Sequence, residues 1–345
     1  MKRIPIAVVG LNWGASVIRK HILAAPASEY FVLAAVCCNE KEKVDDFART
    51  YGVKGYYNLD DLLSDKEIQA VCLMTGPSGR AALIRKVVEA GKHVMTTKPV
   101  ELDPDAALEV LTLAKSLGRV VHLNSPAPLP SSDIAQIQRW REEFALGRPV
   151  AVRADVWANY REPADGTWYD DHEKCPVAPI FRLGIYLIND LVRLIGKPES
   201  VSVMSSRLFT GRPTADNAQL CLAFENGTLA TIFASFCIND AQWWLNSLTL
   251  NYEKGTIYRN VGPAKNGDAR ENPELELVVN RDGKPFNQSF IADASSEDYQ
   301  WHAFYQAIQG GTLDGEMPPE EIVTALRVLR AMAIAEKSKR TERIV

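Results

Sequence analysis

The chain has 345 residues, 46% of them hydrophobic and 24% charged, which is typical of a globular protein and long enough to predict two domains. A formal net charge of −4 without a basic patch argues against a nucleic-acid partner, and no apolar run reaches the ~20 residues of a membrane span. The six cysteines are scattered without a C-x-x-C pair, and the five histidines share no ligand spacing with them, so a reducing cytoplasm and no structural metal are expected.

The first third of the chain alternates apolar strands with helices. Near-continuous apolar strands between helices indicate a parallel sheet covered on both faces, which predicts an α/β, doubly wound Rossmann domain over residues 1–124. The predicted strands are Ile4–Gly10, Phe31–Cys38, Ala70–Thr75, His93–Thr96 and Val120–Asn124, and the predicted helices are Ser16–Ala25, Glu40–Tyr51, Leu59–Leu63, Arg80–Ala90 and Pro104–Leu117.

After residue 124 the pattern changes. The segment PAPLPSS holds three prolines in seven residues and is typical of a connection between domains. Strands then dominate, and Asn226-Gly227 between two alternating apolar runs predicts a β-hairpin with a type I′ turn. These features predict an α+β domain over residues 125–345, with a large open, mostly antiparallel sheet and helices on one face. The predicted strands are Val150–Trp157, Val201–Ser206, Gln219–Glu225, Thr228–Phe236, Ser247–Tyr252, Thr256–Asn260 and Glu274–Val279, and the predicted helices are Asp133–Phe144, Leu183–Ile195, Asp298–Ile308 and Pro319–Glu336.

The first predicted strand runs into a turn rich in small residues. In the G-x-G-x-x-G/A turn of dinucleotide-binding proteins, the first glycine permits the bend, the second admits the pyrophosphate and the third allows close packing. Gly10 fits the first place and Ala15 the third, while Asn12 takes the second because it tolerates left-handed geometry. We expect Gly10, Asn12, Trp13 and Gly14 to bind a dinucleotide, although a plain glycine-containing turn would explain these letters about as well.

The end of the second predicted strand bears on the choice between NAD and NADP. An acidic residue at this point binds the ribose 2′-hydroxyl of NAD and repels the 2′-phosphate of NADP. The sequence offers Cys38 and Asn39 here, with no carboxylate before Glu40, and Lys41 or Lys43 could supply positive charge. The cofactor is therefore NADP or NAD, with NADP slightly favoured.

The stretch EAGKHVMTTKP, residues 89–99, is the most specific motif in the chain. It resembles the E-A-G-K-H-V-x-x-E-K-P segment of the glucose–fructose oxidoreductase / inositol dehydrogenase (Gfo/Idh/MocA) family, and the resemblance extends over nearly the whole length. It implies that Lys98 lies beside the nicotinamide and orients the reacting carbinol, with Thr97 in place of the family's Glu. The cofactor contacts that the resemblance implies are Thr75, Gly76, Pro77, Arg80, Thr97, Lys98 and Asn124, of which Lys98 and Asn124 are also candidates for substrate contact.

A second segment, residues 182–193, resembles the family motif D-x-G-x-Y-x-x-N-x-x-R. The match includes Gly184, Tyr186, Asn189 and Arg193, and it implies that Tyr186 exchanges a proton with the substrate. Helical spacing would place positions 182, 186, 189 and 193 on one face. Without the motif, a packed aromatic would be the plainer interpretation of Tyr186.

Arg182 stands where the family usually has Asp. A guanidinium group fits a carboxylate or phosphate, so one hypothesis is that Arg182 binds an anionic substrate such as a uronate. The other hypothesis is a structural salt bridge from Arg182 to Asp170, Asp171 or Asp190. Trp168, at the start of the loop that leads to this segment, is a further candidate for substrate contact, although a plain surface loop would look the same.

The residues and the resemblance together predict an NAD(P)-dependent oxidoreductase. It would transfer hydride to or from a hydroxyl-bearing or carbonyl carbon of a sugar, sugar acid or cyclitol. The opening V-V-G-L-N also resembles the yeast galactose repressor, a non-catalytic relative that binds dinucleotide, so a sensor is the alternative. Lys98-Pro99, which that branch lacks, favours the enzyme. A homodimer or homotetramer is expected through the open sheet face.

Overall fold

The computed structural model describes residues 2–240, 244–263, 271–293 and 299–345. The chain forms two units, residues 1–129 with 298–323 and residues 130–297 with 324–345. This division differs from the predicted boundary at residue 124, and the prediction gave the whole segment 298–323 to the second domain. The chain crosses between the units more than once, which a linear change in composition does not reveal.

The first unit is built on a six-stranded parallel sheet. Its order is β3-β2-β1-β4-β5-β6, so the chain winds one way from β1 to β3 and the other way from β4 to β6. The predicted doubly wound parallel sheet is confirmed, but the short β3, with no apolar run, was not predicted. The strands are β1 (Ile4–Val9), β2 (Phe31–Cys37), β3 (Lys54–Tyr56), β4 (Ala70–Leu73), β5 (His93–Thr96) and β6 (Val121–Leu123).

The helices follow the predicted ones closely, but the four-residue helix Ala27–Tyr30 was not predicted and three others differ in extent or continuity. The first helix is interrupted, because α1 continues into a π-helical turn at Ile18–Ile22, and the last predicted helix is split in two at Val323. The predicted helix that began at Asp298 begins at Trp301, and Asp298 itself lies outside the described residues. The helices are α1 (Trp13–Val17), α2 (Ala27–Tyr30), α3 (Lys41–Tyr51), α4 (Leu59–Ser64), α5 (Arg80–Glu89), α6 (Pro104–Ser116), α7 (Ser132–Glu143), α8 (Ile185–Ile195), α9 (Trp301–Ile308), α10 (Pro319–Ile322) and α11 (Thr324–Ser338).

Aromatic packing explains why the returning segment 298–323 belongs to the first unit. Phe31, the first residue of β2, stacks on Phe304 of α9 with ring centroids 5.4 Å apart and meets Trp301 edge-on at 5.4 Å. All three rings are at least 98% buried. Burying an aromatic side chain of this size contributes roughly 1.5–3 kcal/mol, so these contacts fix α9 against the edge of the Rossmann core.

The second unit is built on a nine-stranded mixed sheet with the order β14-β13-β12-β11-β7-β10-β9-β8-β15. Only the pair β7–β10 is parallel among the strand pairs of the described residues, so the predicted open, mostly antiparallel sheet is confirmed. Two of its strands were not predicted: β14 alternates polar residues and β15 is a two-residue edge strand. The strands are β7 (Pro149–Ala158), β8 (Pro198–Ser206), β9 (Asn217–Phe224), β10 (Leu229–Ser235), β11 (Trp244–Tyr252), β12 (Gly255–Arg259), β13 (Glu274–Arg281), β14 (Lys284–Ile291) and β15 (Glu342–Arg343).

The two faces of this sheet differ. Alternate residues of β7, from Val152 to Ala158, are buried on the face that carries α7, α8 and α11. On the other face Met204, Cys221 and Leu229 are exposed. None of the helices in the described ranges is long and apolar enough to cross a membrane.

The predicted hairpin between β9 and β10 is confirmed, but its turn type is wrong. The amide of Gly227 donates to the carbonyl of Phe224, and the amide of Phe224 donates to the carbonyl of Thr228. Gly227 has a φ of +87°, and Asn226 is not among the residues with positive φ. This is a three-residue loop in which Gly227 alone takes the left-handed position, rather than the two-residue type I′ turn.

Candidate active site

The turn after β1 has no room for a side chain at Gly10. Gly10 has a φ of +87°, and a Cβ at this position would lie 2.7 Å from the carbonyl oxygen of Met74, at the end of β4. The amide of Gly10 donates to the carbonyl of Cys37 at 2.9 Å. Both the left-handed backbone and the close approach require glycine here, which agrees with the role predicted for Gly10.

Two details of the predicted turn are wrong. A Cβ at Gly14 would lie 2.8 Å from Cγ1 of Val8, so Gly14 rather than Ala15 allows the helix to pack closely on β1. Asn12 was expected to take left-handed geometry, but it has a φ of −74° and is right-handed. Its side chain instead accepts a hydrogen bond from the ammonium of Lys43.

Trp13 begins α1 and is the exposed member of the turn. Its side chain is 57% exposed, and its indole Nε1 donates to the hydroxyl of Tyr299 at 3.0 Å. Tyr299 is 2% exposed and is packed on His21 and Trp301 in the core of the same unit. The indole is therefore anchored at one end and open to solvent over most of its surface.

The end of β2 carries a cation and no adjacent carboxylate. Cys38 and Asn39 follow the buried Cys37, as predicted, and Asn39 is exposed. Lys43 reaches back from the first turn of α3 to Asn12, while its ammonium also lies 3.4 Å from Glu40. The other candidate cation, Lys41, lies over the ring of Tyr57 at 5.5 Å instead. Of the two predicted lysines, Lys43 is the one that contacts the turn.

Lys98 lies just beyond β5, and the end of β6 holds its backbone. The amide of Lys98 donates to Oδ1 of Asn124 at 3.0 Å, and the hydroxyl of Thr97 donates to the same oxygen at 3.1 Å. The amide of Asn124 donates in turn to the carbonyl of Thr96 at 3.3 Å. Asn124 therefore fixes the position of Lys98, whose side chain is partly exposed.

Arg80, a predicted cofactor contact, is a buried residue that holds the backbone. It is 1% exposed, and its guanidinium donates to the carbonyls of Thr75, Thr97 and Pro99. Two of these acceptors flank Lys98, so Arg80 braces the backbone of the same segment after β5 that Asn124 holds. The spacing of charged residues in the sequence could not distinguish this buried brace from a surface contact.

Glu101 completes the brace and was not predicted. Its carboxylate accepts the amides of Gly79 at 3.2 Å and Ala81 at 2.8 Å, at the amino terminus of α5. Glu101 is 4% exposed. A carboxylate at a helix amino terminus satisfies free amides and complements the helix dipole. Its cap ties the Lys98 segment to the helix that follows Thr75-Gly76-Pro77.

The predicted residues of the first unit therefore gather at one edge. Gly10, Thr75, Lys98 and Asn124 follow β1, β4, β5 and β6, which are adjacent parallel strands, so all lie at the carboxyl ends of the sheet. The strand order reverses between β1 and β4. In open α/β sheets this is the point at which ligands bind.

In the second unit, Arg182 is enclosed rather than free. Its two terminal nitrogens donate to the two carboxylate oxygens of Glu162 at 2.8 and 3.2 Å. The guanidinium lies 4.0 Å from the ring centroid of Tyr169, 4.9 Å from Tyr160 and 4.8 Å from Phe236. Burial alone would lower the pKa of Arg182, but the bonds to Glu162 offset it and the pKa is raised.

These contacts favour the structural hypothesis for Arg182, with a different partner from the three aspartates predicted. Glu162 also lies 3.5 Å from Arg212, which pairs with Asp165 at 3.1 Å and Asp170 at 2.6 Å. A network of ion pairs among Arg182, Glu162, Arg212 and the two aspartates thus holds the loop that contains Trp168, which is not a plain surface loop. Trp168 itself packs on Tyr169, with centroids 4.1 Å apart.

Tyr186 lies on α8 and does not share the buried surroundings of Arg182. The residues from Ile180 to Gly184 form a π-helical turn before α8, so the predicted α-helical spacing between positions 182 and 186 does not hold. The Tyr186 ring meets Trp244 of β11 edge-on, with centroids 5.8 Å apart, and is partly exposed.

One further turn along α8, Asp190 belongs to a buried cluster that was not predicted. Arg259 of β12 donates to Asp190 at 3.1 Å and to Asp133 of α7 at 2.7 Å. Burial raises the pKa of Asp190 to about 6, although Arg259 opposes this effect. The cluster links α8, α7 and the sheet. Among the described residues, no group of three or more His, Cys, Asp or Glu side chains could hold a metal ion.

Two family profiles match most of the chain. The profile described as the oxidoreductase family with an NAD-binding Rossmann fold matches residues 4–125. The profile of the GFO/IDH/MocA C-terminal domain matches residues 134–258. The chain belongs to the GFO/IDH/MocA oxidoreductase family. The resemblance predicted from the Lys98 and Tyr186 motifs is thereby confirmed at the level of the family.

Three similar proteins share low sequence identity with the chain. An uncharacterised oxidoreductase of Escherichia coli, YdgJ, is 26% identical over 233 residues, and the match spans 64% of the chain and 62% of that relative. The 1,5-anhydro-D-fructose reductase of Ensifer adhaerens is 21% identical over 339 residues, spanning 96% of the chain and 97% of the relative. The structure of a levoglucosan dehydrogenase in complex with NADH superimposes with a TM-score of 0.77 at 14% identity, covering 100% of both chains.

The residues of the first unit fit the dinucleotide that membership of this GFO/IDH/MocA family implies. Gly10, with a φ of +87° and its backbone packed against Met74, makes the sharp bend that the first glycine of a dinucleotide-binding turn makes. The amino terminus of α1 follows directly, where unpaired amides favour an anion. The first unit thus has the features of the NAD-binding Rossmann domain of this family.

Proposed function

We propose that the protein transfers hydride between a nicotinamide dinucleotide and a hydroxyl-bearing or carbonyl carbon of a carbohydrate-like substrate. The observation that carries the proposal is that Asn124 holds the amide of Lys98 while Arg80 holds the carbonyls of its two neighbours, at the sheet edge that also holds the Gly10 turn. A lysine held this firmly, but with a partly exposed side chain, is suited to a ligand rather than to packing.

The chemistry divides between the cofactor and the chain. The nicotinamide ring, when bound, supplies or accepts hydride at its C4 atom. Lys98 would polarise the substrate oxygen with its ammonium, and Tyr186 would exchange that oxygen's proton through its hydroxyl. The role of Tyr186 rests on the family motif; its partly exposed ring, held against Trp244, is compatible with that role.

The substrate class is supported by relatives rather than by a pocket. One relative is a 1,5-anhydro-D-fructose reductase, and a structural neighbour is a levoglucosan dehydrogenase, so both names specify sugars. The hypothesis of an anionic substrate bound by Arg182 loses its basis, because Glu162 already occupies both terminal nitrogens of the guanidinium. A neutral sugar, cyclitol or related polyol is the substrate class that we propose.

For the cofactor we propose NADP ahead of NAD. Cys38 and Asn39 leave the ribose position without a carboxylate, and the Lys43 ammonium is hydrogen-bonded to Asn12 of the turn. A 2′-phosphate would find a cation here and no acidic neighbour closer than Glu40, which already pairs with Lys43. NADH in a distant structural neighbour does not decide the matter, because the identity is 14%.

A substrate panel tests the proposal. Neutral sugars, cyclitols and uronates are incubated with the protein and NADP⁺ or NAD⁺. The corresponding ketones and lactones are incubated with the protein and NADPH or NADH. Turnover is followed as the change in absorbance at 340 nm. The proposal expects turnover of at least one neutral polyol or its ketone, faster with NADP(H). Tight dinucleotide binding without turnover across the panel would favour the sensor instead. Turnover of uronates alone would restore the anionic hypothesis.

We also propose self-association through the exposed face of the nine-stranded sheet. Met204 is 78% exposed and Leu229 62% exposed on this face, and apolar side chains of this size favour burial. Light scattering of wild type and of Leu229→Glu tests this. A wild-type dimer or tetramer that dissociates in the variant is expected, and a monomeric wild type would contradict the proposal.

A further inference from the structure

Two consecutive residues of the first unit take the left-handed conformation that side chains disfavour. Tyr299 has a φ of +62° and Gln300 a φ of +39°. Neither is Gly, Asn or Asp, the residues that visit this region most readily. Such a pair persists only where surrounding contacts hold it, and strained backbone of this kind gathers at functional positions.

The contacts that hold this pair reach two different places. The hydroxyl of Tyr299, which is 2% exposed, accepts a hydrogen bond from the indole N–H of Trp13 at 3.0 Å. Trp13 begins α1 directly after the Gly10 turn, which is called the nucleotide turn below. Gln300 pairs with both backbone groups of Leu129: the amide of Leu129 donates to Oε1 at 2.9 Å, and Nε2 donates to the carbonyl of Leu129 at 2.8 Å. Adjacent residues thus connect the nucleotide turn to Leu129.

Leu129 and Tyr299 lie where the chain passes between the two units. Leu129 is the last residue of the first unit before the chain passes into the second, and the chain re-enters the first unit at residue 298. The pairing of Gln300 with Leu129 therefore joins two of the points at which the chain crosses between units. Tyr299 lies directly beside this junction and touches Trp13, whose indole is more than half exposed.

We infer that Trp13, Tyr299 and Gln300 form a relay that couples dinucleotide occupancy of the turn to the stability of the Gln300–Leu129 clamp. A dinucleotide that covers the exposed indole restrains it, and the indole N–H restrains the Tyr299 hydroxyl. The left-handed backbone then carries this restraint directly to Gln300, because Tyr299 and Gln300 are adjacent and neither can relax alone. The inference rests on the proposed function only in requiring that a dinucleotide binds at the Gly10 turn.

Amide hydrogen exchange reads the clamp directly, because the Leu129 amide is one of its bonds. Exchange of the full-length chain is measured with and without saturating NADP⁺, for wild type, Tyr299→Phe, Gln300→Ala and the control Tyr305→Phe. Tyr305 lies on α9 of the same unit and packs on Tyr30 and Phe31. In wild type and the control, NADP⁺ is expected to slow exchange at Leu129 at least threefold, together with residues 10–14.

The variants separate the relay from its parts. In Tyr299→Phe, NADP⁺ should still protect residues 10–14 but no longer slow exchange at Leu129. In Gln300→Ala, the Leu129 amide should exchange fast with or without NADP⁺. Protection of residues 10–14 without any change at Leu129 in wild type would overturn the relay and leave dinucleotide binding intact. Full coupling in Tyr299→Phe would also overturn it. No protection at residues 10–14 in wild type would contradict the proposed function itself.

Discussion

At the scale of single residues, Lys43 carries the proposed preference for NADP. Lys43→Met removes the cation beside Asn12. The affinity for NADP⁺ should fall about tenfold, because a partly exposed charged hydrogen bond contributes about 1–2 kcal/mol. The affinity for NAD⁺ should change little. Fluorescence titration of both cofactors measures the two affinities. Lys41→Met is the control, because Lys41 lies over Tyr57 instead.

Cys38→Asp complements this test. A carboxylate at the ribose position should repel the 2′-phosphate and shift the preference toward NAD⁺. If neither Lys43→Met nor Cys38→Asp changes the ratio of the two affinities, the ribose is recognised elsewhere.

Glu162 is the counter-ion of a buried cation. Glu162→Gln leaves the Arg182 guanidinium among three aromatic rings without a negative partner, so the free energy of unfolding should fall by about 2 kcal/mol. Denaturant titration measures the change. The control is Glu173→Gln, which breaks a 2.6 Å pair with Lys337 whose two side chains are 75% and 65% exposed, and which should matter little. Equal loss in both variants would mean that the Arg182 pair is no more important than a surface pair.

At the scale of elements, the turn between β1 and α1 depends on the missing side chain of Gly10. Gly10→Ala should abolish dinucleotide binding and destabilise the first unit, because the new Cβ would meet the Met74 carbonyl at 2.7 Å. Gly52→Ala is the matched control, because Gly52 also has a positive φ, of +65°, but a Cβ added there would have no neighbour within 4 Å. The Gly52→Ala variant should therefore lose only the about 1 kcal/mol of stability that a side chain in the left-handed conformation costs. Dinucleotide titration and thermal unfolding of both variants separate the steric effect from the backbone effect.

The elements themselves could be predicted where the pattern of apolar residues was strong. The buried strands β1, β2, β4 and β5 stand out because each is a near-continuous apolar run between helices. By contrast, β3 reads KGY and β14 reads KPFNQSFI, so each is a strand only because a neighbouring strand pairs with it. Local sequence carries no signal for that kind of pairing.

The site could be predicted as far as motifs reach. The motifs singled out Gly10 and Lys98, and the structure puts both at one edge of the sheet. For Arg80 the sequence suggested a cofactor contact and for Arg182 it left two hypotheses open, because burial decides whether a guanidinium braces the backbone or meets a ligand. Glu101, Glu162 and Tyr299 were missed because the partner through which each acts is at least 20 positions away in the sequence.

At the scale of the whole molecule, a buried histidine links stability to pH. His122 is 1% exposed and packs on Phe304, and burial lowers its pKa to about 3. Below pH ~6.5 the imidazole of His122 binds a proton in the unfolded chain but not in the folded chain. The contribution of neutral His122 to the free energy of unfolding is therefore fully present above that pH and is lost as the pH falls toward 3. Between pH 6.5 and 5, His122 alone should cost about 2 kcal/mol.

The measurement is the free energy of unfolding at pH 7 and pH 5 for wild type and His122→Leu. The variant should lose less stability over this interval, and other titrating groups cancel because the two chains differ at one position. An identical slope in His122→Leu would show that folding does not lower the pKa of His122.

The most direct test of the central claim is the transfer of a labelled hydride. NADPH carrying deuterium at the reactive C4 position is incubated with the protein and the ketone found in the substrate panel, and the product is analysed by mass spectrometry. Wild type should place one deuterium on the product's carbinol carbon. Lys98→Met should transfer it at least about 10²-fold more slowly, with dinucleotide affinity nearly unchanged, while the exposed Lys115→Met transfers it at the wild-type rate. Product without deuterium, or full-rate transfer by Lys98→Met, would contradict the account.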